Sequence, residues 1–575
     1  MRFVQFLFFK HTLEYYMYSF NEMELKKFLG NNLVDLLVEW FPEGQHIFSE
    51  ENLINMILSV YGNKILDDIN FRKRILRAFE PKKIMEYRIY WTGHEKETNL
   101  SNIINYISES RWGKNEISYK ILDDLEIEHQ YFEKNEDTRP SIETIETLEK
   151  FYELLDYQFV IRQKILTYVN SNNDQTKMVV RMPTGTGKTK TAMHTIVNQY
   201  VFKMKKEGLV IWIAHTKELL DQAYETFCNV WKHIGWGSVK TYKMWEKFDV
   251  SINEVKDGFL FIGIQKLTSI RKNNSTFFNK IAMKGRIIVV DEAHRASATK
   301  TKKAIDDLMS YYGKSKSLIG LTATPGRTGN MDNEIFKAMF DNKIIDIDIN
   351  ILNQLNLSQT EADNLIPEKD IIKYFQKRGI LAKLKRIPLK YGELTEVEIA
   401  TLKIHMTNNG YRDFSEEFLK TIAKNKRRNT VIINKLIELN NQHIPTIVFA
   451  CSVEHGKLLS AILTMQGIKN GSVFGEMNSI ERKNIVNKFK NREDDLNILI
   501  NYEVLTTGFD ATNIRCVFIT RPTNSVVLYS QMLGRGLRGP LMGGNEFCEL
   551  IDIEDNLERY TNESQAFNYF DEYWS

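Results

Sequence analysis

Cysteine is scarce in this sequence. Four occur in 575 residues (Cys228, Cys451, Cys516 and Cys548), far apart and with no C-x-x-C pair. That scarcity excludes a disulfide-stapled scaffold and a zinc ribbon, and it fits a reducing, cytoplasmic setting. Proline is scarce too, with ten residues, and thirty glycines follow no repeat, so collagen-like and proline-rich classes are excluded. No stretch reaches 18 consecutive apolar residues, so neither a membrane span nor a membrane partner is expected. Net charge is small: 77 Lys and Arg against 74 Asp and Glu leave +3. A basic coat for nucleic acid is therefore excluded, and such binding has to come from local grooves. What remains is 43% apolar and 26% charged, which excludes a wholly disordered chain.

The first residues stand apart. Phe3 and Phe6–Phe9 make an apolar run that Lys10 and His11 end, too short to span a bilayer and without a small-residue cleavage site. Met23-Glu24-Leu25-Lys26 is a more ordinary start, so residues 1–22 are read as a surface arm or a non-native extension. Beyond them the chain reads as helical to about residue 145. Leu33, Leu36, Leu37 and Trp40 follow i, i+3, i+4, i+7 spacing, as do Leu53, Met56, Ile57 and Val60, with Ser49 as an N-cap. Such stripes are core. Glu80-x-Lys82 after Asp67-Asp68 loosely resembles a nuclease motif, but Pro81 interrupts it and no strand pattern surrounds it. The helical region is expected to serve a partner or to recognise duplex.

From residue 178 the pattern changes. Short β-branched runs at 178–182, 210–213, 259–262, 287–290 and 318–321 each end in a polar or Gly-rich turn, with helical stretches between most of them. The alternation predicts a parallel α/β sheet with both faces covered. Residues 335–440 read as helical and charged. Strand-like runs resume at 446–450, 497–500 and 516–520. Two α/β blocks are expected.

The first block opens on a phosphate site. Met182-Pro183-Thr184-Gly185-Thr186-Gly187-Lys188-Thr189 lies between an apolar run and a helical stretch. A strand, a Gly-rich loop and a helix N-terminus make an anion cradle, in which loop N–H groups point inward and the helix dipole adds about half a positive charge. Gly185 and Gly187 let backbone approach phosphate oxygens, Lys188 would reach the β- and γ-phosphates, and the Thr189 hydroxyl would ligate Mg²⁺. The strict pattern begins with Gly, where this chain has Met182. Further along, Asp291-Glu292-Ala293-His294 follows the run Arg286–Val290. Carboxylates at the C-terminal end of a parallel strand sit where ligands bind. Asp291 would hold Mg²⁺ through water, and Glu292 would orient the attacking water of ATP hydrolysis. Gly534-x-Gly536-x-x-Gly539 satisfies a dinucleotide fingerprint, but no strand runs into it and arginines fill its spacers, so a Rossmann site is set aside.

These motifs and their order resemble the superfamily 2 helicases and translocases of the DEAD/DEAH-box kind, most closely the motor subunits of restriction and defence systems. The resemblance covers residues 150–555. Leu154–Gln158 resembles the adenine-reading segment, with Gln163 a rival to Gln158. Ala214–Leu220 and Gly263–Leu267 resemble strand-contacting motifs, and Leu321–Pro325 the motif coupling nucleotide to track. Ile447–Ala450, Val504–Asp510 and Gln531–Gly539 continue the series in the second block.

The resemblance implies two tandem RecA-like parallel-sheet domains, over 146–335 and 336–575, behind a mostly helical accessory domain over 1–145. It implies ATP and Mg²⁺ as cofactors. Gln158, Thr184, Gly185, Thr186, Gly187, Lys188, Thr189, Gly508 and Asp510 would bind nucleotide, and Arg535 and Arg538 would reach the γ-phosphoryl from the second block. Thr216, Gln265, Thr506 and Thr507 would grip a DNA strand, with RNA the alternative track. His294, Thr322 and Thr324 would couple the two sites. A protein partner such as a nuclease is expected. If each block grips the strand, closure and reopening over ATP become steps along it.

Overall fold

The computed structural model describes residues 12–553, except 42–44, 92–93, 95, 114, 128–138, 149–152, 172, 311–314, 327–329, 349, 353–369, 392–412, 476, 478, 507–510 and 524. Among the described residues there are two sheets and a helical module.

The first sheet has eight strands: β1 (Ile142–Ile145), β2 (Gln175–Arg181), β3 (Leu209–Ala214), β4 (Val239–Met244), β5 (Gly258–Gly263), β6 (Gly285–Asp291), β7 (Lys316–Thr322) and β8 (Ile344–Ile345). Their order is β1-β4-β5-β3-β6-β7-β2-β8, parallel throughout except for β1 against β4. Every residue of β3 and β5 is buried, as sequences LVIWIA and GFLFIG demand when helices cover both faces. The sheet takes its edge strands from residues 142–145 and 344–345, outside the 146–335 span expected for this unit.

The second sheet has six parallel strands: β9 (Lys383–Leu389), β10 (Thr446–Phe449), β11 (Asn470–Val473), β12 (Ile498–Asn501), β13 (Cys516–Ile519) and β14 (Phe547–Ile553), in the order β11-β12-β10-β13-β14-β9. The fold class is therefore two parallel-sheet α/β domains with a helical N-terminal region. β9 falls inside the 335–440 stretch that reads as helical and charged. It is KLKRIPL, a half-exposed edge strand, where lysines and Pro388 are tolerated because one side needs no ladder partner.

The helical module is not a separate body. Helix Glu50–Tyr61 starts at Ser49, whose hydroxyl accepts the Asn52 N–H, and packs on helix Val453–Met465 of the second unit. Ser59 and Ser460 meet Oγ to Oγ at 2.9 Å, and the Thr464 hydroxyl donates to Ser59 at 2.9 Å. Leu53 and Ile57 belong to one apolar cluster with Leu459, Ile462, Val448 and Ile551, so the module extends the core of the second sheet.

Residues 12–22 belong to that core and not to a free arm. Thr12 caps helix Leu13–Met17, Met17 and Phe20 are fully buried, and Phe20 packs edge-on to Phe71 at 5.5 Å between ring centroids. Residues 1–11 lie outside the described residues. Pro81 opens helix Pro81–Tyr87 at its first turn, a position where the missing N–H costs nothing. No helix among the described residues is long and apolar enough to cross a membrane.

Candidate nucleotide cleft and nucleic-acid face

Apart from Gln158, which lies on helix Asp156–Val169, the candidate residues of the first unit sit at or just beyond the C-terminal ends of its strands, and strand order sets their spacing. The phosphate loop follows β2. Thr322 closes β7, Asp291 closes β6, Thr216 follows β3 and Gln265 follows β5. Asp291 and Thr322 therefore lie between the phosphate loop and the end of the sheet that carries Thr216 and Gln265.

Met182–Gly187 lead from β2 into helix Lys188–Asn198. Gly185 and Gly187 hold φ of 88° and 79°, the left-handed region that suits glycine. A Cβ on Gly187 would come within 2.5 Å of Gln158 Nε2. Two neighbouring side chains hold the loop from helix Asp156–Val169. The Tyr157 hydroxyl donates to the Thr186 carbonyl at 2.7 Å, and Gln158 Nε2 donates to the same oxygen at 3.0 Å. Gln158 Oε1 accepts the Leu155 N–H, so this buried amide braces the loop. Gln163, the rival, is exposed. The Thr186 hydroxyl is buried and donates to Pro183 O at 2.7 Å, which assigns that side chain to the loop's own turn.

Across the loop, Lys188 Nζ lies 3.5 Å from Glu292 Oε1. Asp291 is buried, and its Oδ1 accepts the Glu292 N–H at 3.0 Å. Burial raises the Asp291 carboxyl above its ordinary range, against the pull of Lys188. Burial opposes ionisation of Glu292 as well, yet the charges of Lys188, Arg535 and Arg295 hold it below its ordinary range. Of the two coupled carboxylates, Glu292 holds its charge the more readily. Glu292 sits at φ 48°, a strained left-handed conformation for a non-glycine, with its side chain between Lys188 and His294.

His294 continues the line. Its Nδ1 is 3.4 Å from Glu292 Oε2 and 3.2 Å from Thr322 Oγ1. The Thr322 hydroxyl donates to Thr324 O at 2.9 Å and accepts the Thr324 N–H at 3.0 Å. With that hydroxyl proton committed, Nδ1 carries the imidazole proton, an assignment made from the network. Burial drives His294 down to about 3, so the ring is neutral. A continuous polar chain thus runs from Lys188 through Glu292, His294 and Thr322 to Thr324.

The second unit forms the opposite wall. Helix Val526–Leu533 ends at Gly534, where a Cβ would lie 2.5 Å from the Thr184 side chain. A Cβ on Gly185 would lie 3.8 Å from Arg538 Cγ and 3.5 Å from Leu381 Cδ2. Arg535 is near enough to Glu292 to lower its pKa. Both arginines thus flank the phosphate loop from the other unit.

Thr216 caps helix Lys217–Ile234, its hydroxyl accepting the Leu219 N–H. Gln265 Nε2 donates to His215 O at 3.3 Å, which places Thr216 and Gln265 side by side. Thr506 lies in a short turn, Val504–Thr506. Thr507, Gly508 and Asp510 lie outside the described residues. Among the described residues no cluster of three His, Cys, Asp or Glu forms a metal cage. Sequence reading placed Tyr157 in the segment Leu154–Gln158 without a role of its own, and it missed Leu381 and two ion pairs between the units, Asp156–Arg378 and Glu218–Arg482. No local pattern announces pairs whose members are more than 200 residues apart.

The family described as "Type III restriction enzyme, res subunit" matches residues 151–327, and "Helicase conserved C-terminal domain" matches residues 428–539. The chain is similar to "Putative ATP-dependent helicase IRC3" of Saccharomyces cerevisiae, 26% identical over 411 residues, covering 70% of this chain and 51% of that protein. It is also similar to the "Type I restriction enzyme EcoAI endonuclease subunit" of Escherichia coli, 22% identical over 436 residues, covering 71% of this chain and 47% of the other. The chain spans about half the length of these curated relatives. Among solved structures it is similar to the DUF1998 helicase MrfA bound to DNA, with 15% identity, a TM-score of 0.46, and coverage of 76% of this chain and 54% of that one. Two family domains follow in order along one chain, and their motif segments meet across one cleft. Through the two helicase family models that match residues 151–327 and 428–539, the chain belongs to the superfamily 2 helicase family.

Proposed function

We propose that this chain is a DEAH-box type, nucleic-acid-dependent ATPase that acts as a DNA helicase or translocase, the cytoplasmic motor of a restriction or anti-phage defence system. The observation that carries the reading is the packing of Gly534 on Thr184, which brings Arg535 and Arg538 to the phosphate loop. Charge spreads over the γ-phosphoryl oxygens in the transition state, and an arginine supplied across a cleft is worth about 10³–10⁵ in rate. Lys188 holds the phosphates, and the ionised Glu292 accepts a proton from and orients the attacking water. Asp291 and the Thr189 hydroxyl suit Mg²⁺, since one buried carboxylate and one hydroxyl match a cation bound mostly by phosphates and water. When bound, that ion would neutralise phosphate charge.

The line from Glu292 to Thr324 passes the state of the phosphates toward Thr216 and Gln265, which grip the strand backbone without reading sequence. A likeness to a restriction endonuclease subunit supports DNA as the track and a nuclease-type partner. Lys188→Ala and Glu292→Gln are expected to abolish DNA-stimulated ATPase and triplex displacement while leaving the fold intact by circular dichroism. Full ATPase in Glu292→Gln would remove the role given to that carboxylate. ATP turnover without displacement by the wild-type chain would make it a clamp and not a motor.

A further inference from the structure

We infer that Arg378 is a positioning residue for nucleotide binding, which clamps the turn at Leu155–Gln158 to the second unit. The inference rests on the ATPase reading above. Arg378 follows helix Ile371–Lys377, and the chain then runs through Gly379–Ala382 into β9. Backbone bonds tie that run to the arginine-bearing loop. Ala382 N donates to Leu537 O, Gly539 N to Ile380 O and Leu541 N to Gly379 O, all between 2.8 and 3.0 Å. Arg378 therefore moves with Arg535 and Arg538.

Its side chain reaches the other unit. Arg378 Nη1 donates to Asp156 Oδ1 at 2.7 Å and Oδ2 at 2.6 Å, and to the Tyr374 hydroxyl at 2.9 Å. Beside it, Phe375 packs edge-on to Tyr157 with centroids 4.8 Å apart. Tyr157 and Gln158 both donate to the Thr186 carbonyl. A charged contact on Asp156 thus orients the two residues that brace the phosphate loop. Asp156 and Arg378 are each about 70% covered, enough to shield the pair in part from solvent.

The bond acts on the loop before chemistry, so its loss reads out in affinity and not in turnover. Arg378→Ala is expected to raise KM for ATP about five-fold, the loss appropriate to one partly covered charged contact, with kcat at saturating ATP and DNA within about two-fold of wild type. Titration with a fluorescent ATP analogue should show the same weakening. Arg378→Lys should recover part of it, and the exchanged pair Asp156→Arg with Arg378→Asp should bind better than either single variant. Unchanged KM and analogue affinity in a folded Arg378→Ala chain would overturn the inference, as would a fall in kcat alone or losses that simply add in the double variant. A wild-type chain without ATPase would instead overturn the reading beneath it.

Discussion

Gly187 is the residue at which backbone geometry and site assembly meet. Its left-handed φ permits the loop to turn into helix Lys188–Asn198, and its missing Cβ leaves room for the Gln158 amide. Gly187→Ala therefore meets two penalties, roughly 1 kcal/mol of backbone strain and a collision that the amide can relieve only by leaving Thr186. ATP-analogue affinity is expected to fall at least about ten-fold, with a drop of a few degrees in Tm, each readable by titration and thermal unfolding. At this scale much of the cleft was legible in the sequence. Lys188, Asp291, Glu292 and His294 each follow a strand the sequence announces, and the structure gathers them within hydrogen-bonding or ionic reach of one another or of a shared neighbour. Gln158 was legible in position but not in what it touches, because its partner is a carbonyl and carbonyls leave no sequence signal.

Among elements, apolar runs exposed some strands and charges hid others. β3 and β5 are buried on both faces and read plainly. β4, VKTYKM, stayed hidden because Lys243 is fully buried, paired with Glu143 of β1 and 4.2 Å from the Tyr224 ring centroid. β11, NGSV, is small and polar enough to pass for a turn. The module's docking was not legible either, since a stripe such as Leu53-Met56-Ile57-Val60 tells that a helix is buried but not against what. Glu481, in helix Ser479–Asn491, faces that junction, where a Cβ on Gly62 would collide with its carboxylate. Burial pushes Glu481 up to about 7, opposed by the Asn63 N–H and Lys64 and aided by Asp67. The folded protein then holds a proton that the unfolded chain releases near pH 4.5. Stability is greatest at the acid end of that window and falls as pH rises through about 7, by up to roughly 3 kcal/mol. Glu481→Gln should flatten this slope, seen as a Tm that no longer declines between pH 5 and 8.

As a whole, the molecule is two α/β units joined at the ends and the middle of one cleft. Asp156–Arg378 lies beside the phosphate loop's brace, Gly534 rests on Thr184, and Arg482 reaches Glu218 at 2.8 Å beside Thr216. The helical module shares the second unit's core. Residues 12–127 hold 14 Lys and Arg against 19 Asp and Glu, so the module carries no net positive charge. Its chain exit matters more than its charge. The polypeptide leaves the module near Ile127 and next enters the first sheet at β1, on the edge beside β4. Just ahead of β1 the chain is already fastened to that unit: Arg139 Nη2 donates to Asp221 Oδ1 at 2.8 Å, and Ser141 O accepts the Lys243 N–H at 2.8 Å. One polypeptide is therefore anchored in both units, in the second through the module's core and in the first through β1 and the residues leading into it.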